Sequence, residues 1–277
     1  MPANRRTTWI AAGLLAGLAC LALAGCGKQE PNTATATATA NATPPPPTAP
    51  RVLVAGTDAA YTPFESQNEK GEIVGFDIDV VKAIAGKAGF EVKFVNTPWE
   101  GIFNALDQGD RDLLVSAITI TAERRQTMDF SKPYFEARQL IAVRRDAQVA
   151  RFEDIKAMKV GVQNGTTGDE VVGKLQGKSS GNIKRFESTP LALKELEAGG
   201  VQAVVADNGV VEHYLANNPG GGFKTVSDAA FPAEQYGIAV KKGNAELLAR
   251  INKGLDDIKA DGSYDKIYAA YFGSTPR

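Results

Sequence analysis

From Arg51 onward the apolar residues switch repeatedly between the period of a strand and that of a helix. Val52 to Ala55 is a short apolar run of the kind that fills a buried strand, and Ile78, Val81, Ile84 and Ala88 then recur on one helical face. Val92 and Phe94 alternate on a second strand, Ile102, Phe103 and Leu106 mark a second helix, and Leu113 to Ala117 is again strand-like. This βαβαβ order returns further on. A strand runs from Lys159 to Val162, a helix from about Gly168 to Gln176 and a strand from Ile183 to Phe186. A helix opened by Thr189 and Pro190 then closes near Gly199, before a strand over Val201 to Ala206. The tail adds a strand at Ile238 to Val240, a helix carrying Leu247, Leu248, Ile251, Leu255 and Ile258, and a short aromatic helix with Tyr264, Tyr268, Tyr271 and Phe272. Two parallel-sheet units of about 100 residues each predict an α/β protein of two lobes with a cleft between them, not one closed barrel.

The first 50 residues break this pattern. Arg5 and Arg6 precede an apolar run from Trp9 to Ala24 that is short and rich in small residues, the order of an export signal and not of a membrane span. The run ends in Leu23-Ala24-Gly25-Cys26, which resembles the lipobox of bacterial lipoproteins. That resemblance implies removal of residues 1–25 and lipidation of the Cys26 sulfur. Cleavage after Ala24 by an ordinary signal peptidase also fits, because Ala22-Leu23-Ala24 is a small-x-small site. Residues 26–50, with Thr-Ala repeats and Pro44 to Pro47, contain no large apolar residue and predict a disordered tether. At about 3.1 Å per residue its reach is on the order of 70 Å.

Composition narrows the chemistry. Lys+Arg 31 against Asp+Glu 32, with no basic run, leaves nothing to neutralise a phosphate backbone, so no nucleic-acid partner is expected. One His and two Cys do not build a multi-ligand zinc site, and neither a metal nor a cofactor is expected. Cys20 leaves with the leader and Cys26 would be lipidated, so the folded part has no disulfide to rely on.

In open parallel sheets ligands gather beyond the carboxyl ends of the strands. There the sequence reads Thr57-Asp58-Ala59-Ala60-Tyr61, Ser116-Ala117-Ile118-Thr119, Gln163-Asn164-Gly165-Thr166-Thr167 and Asp207-Asn208. These loops are polar without being catalytic in look. His213 lies in a helix beside Tyr214 and completes no Ser-His-Asp set, and Gly165 and Gly168 have neither the lysine of a Walker loop nor the Gly-x-Gly-x-x-Gly spacing.

Several spaced motifs say more. Asp58-Ala59-Ala60-Tyr61-Thr62-Pro63-Phe64-Glu65, Gly75-Phe76-Asp77-Ile78-Asp79, Ile118-Thr119-Ile120-Thr121-Ala122-Glu123-Arg124-Arg125, Asp129-Phe130-Ser131 and Pro133-Tyr134 follow one another in an order that resembles the polar amino acid-binding proteins of bacterial ABC importers. The resemblance covers residues 51 to 277 and is strongest to arginine/lysine/histidine-binding members, through Gly56 to Glu65 and Val160 to Gly168. It implies a two-lobed periplasmic-binding-protein fold of type II, each lobe a mainly parallel sheet flanked by helices. Residues 51–135 with 236–277 would form one lobe and 136–235 the other. The chain would cross between them near Tyr134 to Arg138 and Pro232 to Tyr236, and ligand would close the lobes like a hinge.

A free amino acid is a zwitterion whose two charges cost several kcal/mol each to strip of water unless each meets a fixed partner. On the resemblance, Arg124 binds the α-carboxylate through its planar fork, helped by the Thr119 hydroxyl and by backbone N–H groups near Ala117 and Thr167. Asp207 accepts the α-ammonium. Tyr61 and Trp99 align with the aromatic walls of the side-chain pocket, Asp58 takes a distal cation, Glu65 or Asp77 adds negative charge, and Ser116 and Gln163 complete the lining. Blander roles stay open: a solvated helical arginine for Arg124, a strand threonine for Thr119, a helix cap for Asp207 or Asp77, core packing for Trp99, a surface position for Glu65. Where glutamine-binding members carry a lysine and a histidine, this chain has Gln163 and Ala206, which shifts the balance toward a basic ligand.

The function expected is therefore non-enzymatic: a lipid-anchored, monomeric receptor at the periplasmic or outer cell face that captures an L-amino acid and delivers it to the permease and ATPase of an ABC importer. Three other readings are a receptor for glutamine or another polar amino acid, a sensory ligand-binding module, and a dehydratase like the cyclohexadienyl dehydratases, for which Glu65 or Glu170 would be nominated as the acid.

Overall fold

The computed structural model describes residues 51–273. The export signal, the lipobox with Cys26 and the tether lie outside the described residues, as do the last four residues. In chain order the strands and helices begin with β1 (Leu53–Thr57), β2 (Ala60–Tyr61), β3 (Glu65–Gln67), β4 (Ile73–Val74), α1 (Phe76–Ala88), β5 (Val92–Asn96), α2 (Trp99–Gln108) and β6 (Leu113–Leu114). Next come α3 (Arg124–Thr127), β7 (Met128–Phe130), β8 (Phe135–Ala137), β9 (Gln139–Arg144), β10 (Val160–Gln163), α4 (Thr167–Gln176), β11 (Ile183–Phe186), α5 (Thr189–Ala198) and β12 (Ala203–Asp207). The series closes with α6 (Asn208–Asn217), β13 (Phe223–Val226), β14 (Glu234–Tyr236), β15 (Ala239–Lys241), α7 (Ala245–Ala260) and α8 (Ser263–Phe272).

The strands form two five-stranded sheets of the same plan, in the orders β5-β1-β6-β15-β7 and β11-β10-β12-β9-β13. In each, four strands run in one direction, and the fourth in order, β15 or β9, runs against them. The fold is a mixed α/β architecture of two lobes, with no closed barrel among the described residues. The antiparallel pair β8 and β14 carries the chain from one sheet to the other and back, so β15, α7 and α8 return to the first sheet. Helices α1 and α7 cover that sheet through Val81, Ile84, Ile251 and Leu255, all essentially inaccessible to solvent.

Departures from the sequence pattern fall at strand ends. The run Leu113 to Ala117 is a strand only over Leu113–Leu114, because Ala117 has a φ of +46° and its N–H turns away to a side chain. Val201 and Gln202 lie before β12 because the Val201 N–H closes the end of α5 on Glu195. The antiparallel strands β7, β8, β9, β13 and β14 are additions to the predicted pattern, as is the small sheet β2-β3-β4. Several of these strands are only two or three residues long, too short for a period to show.

Candidate functional site

The carboxyl ends of the parallel strands of both sheets face one another. Asp58 follows β1, Ser116 to Thr119 follow β6, Gln163 ends β10 and Asp207 ends β12. Arg124 opens α3 and Thr167 opens α4, whose preceding residue Thr166 caps it by accepting the Asp169 N–H at 3.3 Å. Between the lobes lies a small cavity. Asp58, Tyr61, Glu65, Trp99, Ser116, Ala117, Thr119, Arg124, Gln163, Thr167 and Asp207 all line it, and Thr166 joins them.

The distribution of charge in this cavity is uneven. The Arg124 guanidinium lies 5.3 Å from the Trp99 ring and 5.2 Å from the Phe103 ring, and donates only to two carbonyl oxygens, Thr119 O at 2.9 Å and Gly165 O at 3.4 Å. Among the described residues it pairs with no carboxylate. Burial pulls its pKa down, opposed by Glu170, Asp207 and Glu234. Asp207 accepts from Gln139 Nε2 at 2.5 Å and from the Tyr236 hydroxyl, and among the described residues it forms no ion pair. Burial, helped by the charge of Glu234, pushes its pKa to about 6. Asp207 stands at the N-terminus of α6 without capping it by its side chain. Asp58 accepts from Gln163 Nε2 at 3.2 Å across the cleft, and burial raises its pKa too.

The blander roles resolve individually. Glu65 is not on the surface: it is fully buried, with Ser116 Oγ donating to its Oε1 at 2.9 Å. Asp77 is not a cap either, because Gly75 holds the cap position of α1 and the Asp77 carboxylate turns inward. Trp99 is both core and wall: it packs with Ile102 and Leu114 while one face lines the cavity. His213 sits in α6, outside the cavity, and Glu170 lines an outer groove on the far side of Thr119 and Thr167.

Two expected donors are directed elsewhere. The Ala117 N–H donates to Asp77 Oδ2 at 2.7 Å and so is not free to face a ligand carboxylate. The hydroxyls of Thr119 and Thr167 both donate to Glu234 Oε2, at 2.6 and 2.9 Å. Glu234, almost fully buried on β14, also accepts from Gln139 Nε2 at 3.1 Å, so one carboxylate ties together both banks of the cleft. Sequence reasoning missed Glu234 and Gln139. Neither follows a parallel strand, and the only signal is a polar residue inside a short crossing segment.

Residues 53–274 match the family described as bacterial extracellular solute-binding proteins, family 3. A probable histidine-binding protein of Neisseria gonorrhoeae is 42% identical over 265 residues, covering 95% of each chain. Among solved structures, the arginine-, lysine-, histidine-binding protein ArtJ of Geobacillus stearothermophilus aligns with a TM-score of 0.79 at 41% identity, over 82% of this chain and 97% of that one. An ancestral arginine-binding protein bound to arginine aligns with a TM-score of 0.76 at 45% identity, over 80% of this chain and 98% of that one.

Proposed function

The chain belongs to the bacterial extracellular solute-binding proteins, family 3, and from that premise we propose that it is the receptor of an ABC importer for a basic L-amino acid: arginine, lysine or histidine. One observation carries the choice of ligand. A single cavity holds an unpaired guanidinium, Arg124, opposite two cation-free carboxyl groups, Asp207 and Asp58. An α-carboxylate placed on Arg124 and an α-ammonium placed on Asp207 would give each buried charge its missing partner, and Asp58 would still await a second cation. A basic amino acid supplies that cation and a neutral one does not. The relatives named above, which are described as binding histidine, arginine or lysine, support the same choice.

Tyr61 and Trp99 would flank the ligand side chain, with Ser116, Gln163 and Glu65 around its end and Thr119, Ala117 and Thr167 around the carboxylate. Because Arg124 and Asp58 belong to one lobe and Asp207 to the other, a ligand held by all three favours lobe closure about β8 and β14. Residues 51–135 with 236–277 would move as one body and 136–235 as the other. Lipidation at Cys26 and a tether over 26–50 would hold the receptor at a membrane within reach of the permease and its ATPase, as a monomer. A binding receptor needs no nucleophile or acid.

The test is titration calorimetry of ligand-stripped protein with arginine, lysine, histidine, glutamine and glutamate. Tight binding of a basic amino acid is expected; a preference for glutamine would overturn the assignment of Asp58, and no binding of any of the five would overturn the receptor reading.

A further inference from the structure

Glu65 and Asp77 are two acids with neither solvent nor a cation to stabilise them. Both are fully buried, and neither takes part in any ion pair among the described residues. Glu65 Oε1 accepts from Ser116 Oγ at 2.9 Å, while Asp77 Oδ2 accepts from the Ala117 N–H at 2.7 Å and the Tyr134 hydroxyl at 2.6 Å. The other oxygen of each, Glu65 Oε2 and Asp77 Oδ1, has no donor among the described residues. Consecutive residues, Ser116 and Ala117, donate to the two carboxyl groups, which sets them side by side.

The backbone imposes this arrangement. Gly75, just before α1, has a φ of +139°, and a Cβ there would stand 2.1 Å from the Phe64 carbonyl oxygen. The same oxygen accepts the Asp77 N–H at 3.0 Å, so the start of α1 is pressed against Phe64 and Glu65. Two bare carboxylates held together in a dry interior repel each other and lose their hydration. A single proton between Glu65 Oε2 and Asp77 Oδ1 satisfies both vacant oxygens. Asp77, with two donors on its other oxygen, is the better anion, and Glu65, with one, is the better acid.

We propose that Glu65 and Asp77 share one proton at neutral pH, that Glu65 thereby stands in the cavity wall as a neutral acid, and that entry of a cationic ligand side chain expels this proton, making the pair a specificity element for basic over neutral ligands. The coupling rests on the reading that the ligand's distal cation lies at the Asp58 end of the cavity. The groups facing the pair are Asp58, Ser116, the Ala117 N–H and Tyr134, with Tyr61 and Asp207 further along the cavity; no lysine or arginine is among them. Burial comes first in raising both acids, Glu65 well above the carboxylate range and Asp77 to about 7, with the charges of Asp77 and Asp58 adding to the rise at Glu65. A cation beside the pair favours the ionised form. The exchange balances as protonated pair plus cationic ligand giving doubly ionised pair, bound ligand and one proton released to solvent. Affinity for a basic ligand therefore rises with pH across the window in which the pair gives up its proton, and affinity for a neutral ligand does not.

The experiment is titration calorimetry of the intact protein with L-arginine and with L-glutamine at pH 7.5, in buffers of different ionisation enthalpy. At that pH Asp207, at about 6, is already largely ionised and contributes little to the proton count. Arginine is expected to release up to one proton, with affinity rising by up to about tenfold per pH unit, and glutamine to release none. Glu65→Gln keeps the acid's shape and donates to Asp77 but has no proton to lose, so it should bind arginine more weakly, with no release and a flat pH profile. The infrared spectrum of the ligand-free protein reads the proton without any ligand: a protonated-carboxyl band is expected at pH 7.5 in the wild type and absent in the variant. Tight arginine binding with no more proton release than in Glu65→Gln overturns the coupling while the receptor assignment stands. Failure to bind arginine, lysine or histidine overturns the assignment and the coupling together. Absence of the acid band in the wild type overturns the shared proton itself.

Discussion

Arg124 is a planar donor fork with five N–H groups, and the structure shows it directed at two backbone carbonyls and laid against two aromatic faces, with no anion. Breaking one half of a buried charge pair costs about 2–5 kcal/mol or more. Arg124→Ala is therefore expected to weaken amino acid binding by roughly 30-fold or more, and Arg124→Lys to recover little, since an ammonium lacks the bidentate geometry. Calorimetry checks this, with a thermal melt of the ligand-free variants showing that the fold survives. At this scale much was legible in the sequence: Asp58 and Ser116 follow parallel strands, Gln163 and Asp207 end them, and topology brings such positions together whatever their neighbours are. Glu234 was not legible, because its partners Thr119, Gln139 and Thr167 are 67 to 115 residues away and join it only once both lobes are folded. The inward turn of Asp77 was hidden for the same reason, since its partners Ala117 and Tyr134 are 40 and 57 residues away.

At the scale of elements, long helices announced themselves and short strands did not. Helix α7 shows Leu247, Ile251, Leu255 and Ile258 on one buried stripe, and the sequence periodicity places it within a few residues. Strands β8 and β14 have three residues each and are held by their mutual ladder, which no local pattern encodes. The start of α6 shows how two elements from different sheets meet. Val210 joins the aromatic cluster of the first lobe, and a Cβ added at Gly209 would stand 2.8 Å from the Phe64 ring. Phe64 cannot retreat, being fully buried among the rings of Phe76, Phe135, Tyr236 and Phe272. Overpacking of this kind costs about 1–3 kcal/mol. If the lobes close on ligand, Gly209→Ala penalises the closed form selectively, so ligand affinity should fall roughly 5- to 150-fold. Dissociation should quicken while the melting of the ligand-free protein changes little. Stopped-flow tryptophan fluorescence measures the rate, and an equal loss of stability in the ligand-free protein would place the clash in both states.

For the whole molecule, buried acids set how stability responds to pH. Asp207, at about 6, binds a proton more tightly in the folded protein than in the unfolded chain, where an aspartate lies near 4, and Glu65 and Asp77 behave in the same direction. A raised folded-state pKa gives stability that is present below the unfolded value and lost as pH rises through the folded one. Asp207 alone thus accounts for on the order of 3 kcal/mol lost between about pH 4 and pH 7. Asp129, Asp154, Asp228 and Asp261 are held low by backbone N–H groups, by Ser263 and by the neighbouring cations Lys242, Arg151 and Lys87, so their contributions disappear only below about pH 4. The ligand-free protein should accordingly melt highest at mildly acidic pH and lower at pH 8. Bound amino acid reverses the trend, because an α-ammonium beside Asp207 favours its ionised form. The rise in melting temperature on adding saturating ligand should therefore be small near pH 5 and grow toward pH 8. Calorimetric melts across that range, with and without ligand, test this, and Asp207→Asn should raise the pH 8 melting temperature of the ligand-free protein while shrinking the ligand-induced rise. A ligand-induced rise that is the same at both ends of the range would mean that Asp207 does not meet the ligand's cation.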